Sequence, residues 1–100
     1  MLIKKAHIVG NRRIEIRIFT EVGDELPTHS HPAGFEHMTF INEGTFYIYG
    51  PGWERTLGPG KMIVFEADKL HAIQARTANA KLTNIPVWES EIDNLEVNDG

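Results

Sequence analysis

A chain of 100 residues that is 41% hydrophobic and 24% charged has room for one hydrophobic core, so residues 1–100 are expected to form a single domain. The absence of cysteine excludes disulfide staples, thiol catalysis and zinc fingers, and leaves His, Asp and Glu to build any metal site. A net charge of −4 argues against nucleic acid as a partner; with no apolar tract near the ~18 residues that cross a bilayer and no leader pattern, the expectation is no membrane partner and a cytoplasmic location.

The first clear element is "RIEIRIF", residues 13–19, where strict alternation predicts a half-buried strand. Ile14, Ile16 and Ile18 are expected to face the core, with Arg12, Arg13 and Arg17 as wet charges and not a binding patch. After Pro27 and Thr28 comes "HSHPAGFEH", residues 29–37, which holds three of the five histidines. "HMTFI" and "TFYIY" then read as a hairpin turning at Asn42–Gly44. Glycine and proline break the chain at 50–52 and again at 58–60, bracketing the short strand "WERTL". "MIVF", "HAIQA" and the weaker "KLTNI" are further strands, and Pro86 with "VWESEI" begins the last stretch. The one helical candidate, around Glu66–Leu70, is too short to nucleate alone. The sum is an all-β domain of roughly eight to ten short strands, a sandwich or small barrel, with a polar tail near residues 94–100.

Imidazoles at this density bind metal, move protons or sense pH. On an extended segment, residues i and i+2 share a face, so His29 and His31 can reach one ion. His37 opens the strand that follows, and His71 opens "HAIQA"; if those two strands are neighbours, four imidazoles converge at a barrel mouth. His7 reads as an ordinary surface or core histidine. Phe35, Met38, Phe40, Phe46, Tyr47, Ile48 and Tyr49 are expected to divide between the interior and an outer face, with Trp53 and Trp88 as interface anchors.

The stretches from Gly23 to Gly44 and from Gly60 to His71 resemble the two sequence motifs of the cupin superfamily. Gly23, the five residues "DELPT" and then His29, Ser30 and His31 match the opening of the first motif. Its next acidic position falls on Glu36 when counted forward from His31, and on His37 when counted back from Gly44. The hairpin turn fixes register more firmly than the loop does, which favours His37 and is similar to cupins that carry a fourth histidine there. In the second motif Glu66 and Asp68 replace a proline and a glycine, while His71 keeps its place.

The resemblance implies a small cupin-type β-barrel (double-stranded β-helix, or jelly roll) holding one divalent transition metal, Fe, Mn, Ni, Cu or Zn, on His29, His31, His37 and His71. An all-imidazole shell leaves the full charge of the ion and suits an anionic or enolisable substrate. The activity implied is oxygenation, isomerisation or decarboxylation of a small carbonyl or sugar acid. Glu36 and Tyr47 are conceivable bases, with no residue singled out. The alternatives are a non-catalytic small-molecule-binding or sensor barrel, and a structural dimerisation domain with a vestigial site. A homodimer is expected in each case.

Overall fold

Period-two patterning broken by turn residues yields nine strands and no helix among the residues described, which are 1–29, 35–65 and 70–88 of this computed structural model; of residues 28, 29, 35, 36 and 88 only the backbone is described. His31, the helical candidate's 66–69 and the tail from 89 onward lie outside the described residues, as do the side chains of His29, Glu36 and Trp88.

The strands are β1 (Leu2–Val9), β2 (Arg12–Phe19), β3 (Glu25–His29), β4 (Phe35–Glu43), β5 (Phe46–Gly50), β6 (Trp53–Leu57), β7 (Met62–Phe65), β8 (His71–Ala75) and β9 (Ala80–Trp88). They form two sheets of antiparallel pairs, a five-stranded one in the order β1-β2-β9-β4-β7 and a four-stranded one in the order β3-β8-β5-β6. The two inner faces interlock around Phe19, Ile41 and Leu82 from the first sheet and Phe46, Ile48 and Ile73 from the second. Phe19 and Phe46 meet edge to face, with ring centroids 4.9 Å apart. The hairpin between β4 and β5 turns where expected. Gly44 has φ 79°, and a Cβ there would collide with the Thr77 hydroxyl and Ala80, so both conformation and space require glycine.

The structure adds to or departs from the sequence reading at three places. First, β2 is turned over. Its inward face carries Arg13, Glu15, Arg17 and Phe19, because register sets Phe19 opposite buried Ala80, Arg17 opposite Leu82 and Glu15 opposite buried Asn84. Ile14, Ile16 and Ile18 point the other way and are only half-buried. Alternation defines two faces of a strand without saying which one meets the core, and here the inward face ends in a cavity that Arg13 and Glu15 help to line.

Second, "HAIQA" is not beside the strand that carries His37. β8 lies between β3 and β5 in one sheet, while β4 lies between β9 and β7 in the other. Third, "LIKKAHIV" is a strand although nothing in its pattern marks it. β1 is an edge strand, exposed along nearly its whole length, so neither face had to be apolar.

Candidate metal centre and ligand cavity

Backbone register places the histidines. In β3, Leu26 faces Ile73 and His29 faces His71, so three steps along β3 match two along β8. That bulge sets His29, where Thr28 would otherwise fall, opposite His71. β4 places His37 between Phe65 of β7 and Pro86 of β9.

Phe65 links the two sheets. It is buried beside His37 on the inner face of the larger sheet, and its ring stacks on the His71 imidazole of the smaller one at 3.8 Å and 10°. His71 itself is 1% exposed. The indole of Trp53 lies tilted at 46° to the Phe65 ring, with centroids 6.5 Å apart. Gly50 makes room for it: a Cβ there would strike both the Leu70 carbonyl, one residue before His71, and the Trp53 ring.

Phe65 thus neighbours His37 across the β4–β7 pair and stacks on His71 of the other sheet, and the backbone of His29 is paired to His71. No group of three or more His, Asp or Glu poised for a metal occurs among the described residues, which exclude His31 and the side chain of His29. With no cysteine in the chain, imidazole nitrogens such as those of His37 and His71 are the donors on offer here, a donor type that suits late divalent first-row ions.

Beside His37 a cavity of about 190 Å³ opens, lined by Arg13, Glu15, His37, Asn84 and Pro86. Its floor is a buried pair: the Thr39 hydroxyl donates to Asn84 Oδ1 at 2.6 Å. Its wall is the inner row of β2. Glu15 accepts from Arg13 Nε at 3.2 Å and from Arg17 Nη2 at 3.1 Å, and Lys4 Nζ lies 3.8 Å away. Burial pushes the Glu15 carboxyl up, but the Arg13 hydrogen bond and the charges of Arg17 and Lys4 outweigh it and hold the group below the usual glutamate range. Arg17 Nε is buried and has no hydrogen-bond partner among the described residues. Arg12 donates from Nη1 to the Pro86 carbonyl at 2.6 Å, tying the end of β2 to the strand between it and His37.

Sequence reasoning missed Arg13, Glu15, Thr39, Phe65 and Asn84. For the first two a signal was present: in "RRIEIR" a carboxylate stands between arginines at i−2 and i+2, an ion-pair row along one face of a strand. For Phe65 and Asn84 there was none, since one sits in an apolar run and the other in a mixed one.

Comparison with solved structures places this architecture. An RmlC-like cupin protein from Desulfovibrio desulfuricans superimposes with a TM-score of 0.72 at 27% identity, over 84% of this chain and 80% of that one. KdgF from Halomonas sp. gives a TM-score of 0.76 at 17% identity, over 85% of this chain and 76% of that one. The cupin_2 domain of an XRE family transcriptional regulator from Enterobacter cloacae gives 0.74 at 18% identity, over 87% of this chain and 96% of that one. No protein-family model matches the sequence, and no curated protein matches it. The fold is thus the small jelly roll of the cupin superfamily, as the two motifs implied. Among the described residues no helix is long and apolar enough to cross a membrane.

Proposed function

We propose that this chain is a metal-binding single-domain cupin that holds one divalent transition metal through His29, His31, His37 and His71 and acts on a small organic substrate in the adjoining cavity. The observation that carries the reading is the β3 bulge, which sets His29 opposite His71 while Phe65 joins His71 to His37. Bound there, such an ion supplies Lewis acidity or, if redox-active, oxygen chemistry to a substrate with an oxygen donor. The protein's own residues do the rest. Phe65 and Trp53 close one side of the site to water, the Thr39–Asn84 pair fixes the polar floor, and Arg12 holds the Pro86 segment in place. Oxygenation, isomerisation and decarboxylation of a small carbonyl or sugar acid remain the reaction classes of this proposal.

Elemental analysis by mass spectrometry of protein purified without a histidine tag tests it. Near one metal ion per chain is expected in wild type, with loss in both His29→Ala and His71→Ala. Wild type that stays metal-free after incubation with each of the five ions overturns the reading. Because imidazole must be neutral to coordinate, affinity should fall as pH drops below roughly 6.5, and pH-independent binding between about 5 and 7.5 counts against a histidine shell.

A second reading is a non-catalytic sensor barrel. It is favoured by the similarity to the transcriptional regulator's cupin domain, of which 96% is covered. Equilibrium ligand binding without product formation separates it from the enzyme.

A further inference from the structure

The cavity beside His37 has a chemical bias of its own. Across the inner face of the larger sheet, Glu15 of β2, Asn84 of β9 and Thr39 of β4 form one row, and Pro86 and His37 form the next toward the open end. Arg13 lies two residues beyond Glu15 on the same face of β2 and lines the cavity with Pro86 and His37. With strands ~4.8 Å apart, Arg13 and His37 stand about 10 Å apart at the backbone, two strands away across Pro86.

The polar groups on that wall are mostly donors. Asn84 Oδ1 is taken by the Thr39 hydroxyl, so the NH2 end of the amide is what remains to offer. Among the described residues Glu15 is the one carboxylate lining the cavity, and it is already shared by Arg13, Arg17 and Lys4. Three cations among the described residues meet this one anion, and Arg13 is the one of the three that lines the cavity. Arg13 uses Nε on Glu15, and its side chain is 57% exposed, which leaves the terminal guanidinium nitrogens able to meet a ligand. A ligand that meets the Arg13 guanidinium and the Asn84 amide must bring acceptors, and a carboxylate matches the paired N–H groups of the guanidinium.

We infer that the cavity recognises a small carboxylate, which docks on the Arg13 guanidinium and the Asn84 amide and extends toward His37, with Glu15 as the positioning residue that aims Arg13. Arginine presents paired N–H groups that match the two oxygens of a carboxylate. At about 190 Å³ the cavity is below the ~300–1,000 Å³ typical of drug-sized ligands, so the acid is one of a few carbon atoms. The inference rests on the proposed reading of this mouth as a small-molecule site, but recognition through Arg13 requires no metal.

Isothermal titration calorimetry at constant ionic strength tests it. Succinate and glutarate are titrated into metal-loaded and EDTA-treated wild type, and their neutral diamides into the same samples. Both diacids should bind and the diamides should not. Arg13→Met should weaken diacid binding by about ten- to a hundredfold, the scale of one charge-assisted contact. Arg13→Lys, which keeps the charge and loses the fork, should fall between. Arg76→Met serves as control: Arg76 sits over the Tyr47 ring of the other sheet, and its loss should leave binding unchanged. Equal affinity of Arg13→Met and wild type, equal binding of diamides, or no binding of either diacid would overturn the assignment. Metal content of the same preparations separates the two proposals. Arg13-dependent binding to protein that never takes up metal supports this inference while the metal reading fails, and metal-loaded protein that binds diacids regardless of Arg13 does the reverse.

Discussion

The two ends of the larger sheet's inner face are built from the same three strands and do opposite things. At one end Phe19, Ala80, Leu82 and Ile41 are fully buried against the second sheet. Further along the same face come Glu15, Asn84 and Thr39, and beyond them Arg13, Pro86 and His37. Alternation is unbroken along β9 and β2, so the change is one of side-chain chemistry and not of backbone geometry. Apolar packing at the closed end provides the stability that lets the open end carry charges and a cavity which contribute little to it.

The largest effect should come from breaking the closed end. Phe46→Ala removes a fully buried ring that packs edge to face on Phe19, and the expected loss is about 3–5 kcal/mol in equilibrium denaturant unfolding. A loss below about 1 kcal/mol would mean that this end is not the core that holds the sheets together. A smaller effect is expected at the boundary. Thr39→Val keeps shape but leaves Asn84 Oδ1 without its buried donor, at a cost of about 1–3 kcal/mol. Adding Asn84→Leu removes the unpaired acceptor and should recover part of that loss while abolishing carboxylate binding. Such a protein would extend the closed end's chemistry into the open end, and a double variant no more stable than Thr39→Val would show that the boundary pair does more than satisfy itself.

Much of this contrast was legible in the sequence, and its gaps have physical causes. "WERTL", "MIVF" and "HAIQA" coincide with β6, β7 and β8 because each is a short patterned run between turn residues. The spacing of His29, His37 and His71 within two cupin-like motifs led to the right fold. What could not be read was which strand neighbours which: sheet order is set by long-range packing, and β8 lies between β3 and β5, so the condition that it neighbour the strand of His37 is not met. The bulge between Leu26 and His29 was invisible for the same reason, since it exists only relative to β8. The reversal of β2 is the instructive case. Three isoleucines against three charges predict a buried apolar face only if the interior is apolar throughout, and beside His37 it is not.

The smallest effect concerns Glu15, and its sign distinguishes a structural carboxylate from a merely exposed one. Arg13, Arg17 and Lys4 outweigh burial and keep its carboxyl below the usual range in the folded chain. A lowered folded pKa means that the folded state binds the Glu15 proton less readily than the unfolded state does. Its contribution to stability is then complete above the unfolded value, near pH 4.3, and disappears as pH falls through the lower folded value. Glu15→Gln should therefore cost about 1 kcal/mol at neutral pH, the scale of a partly exposed ion pair, and the difference from wild type should shrink as the solution is acidified below about pH 4. Urea unfolding of both proteins across that range measures it. A difference constant with pH would assign the cost to lost packing, whereas one that shrinks on acidification and diminishes in high salt would place Glu15 where the geometry does, as the shared counter-charge of three cations on the cavity wall.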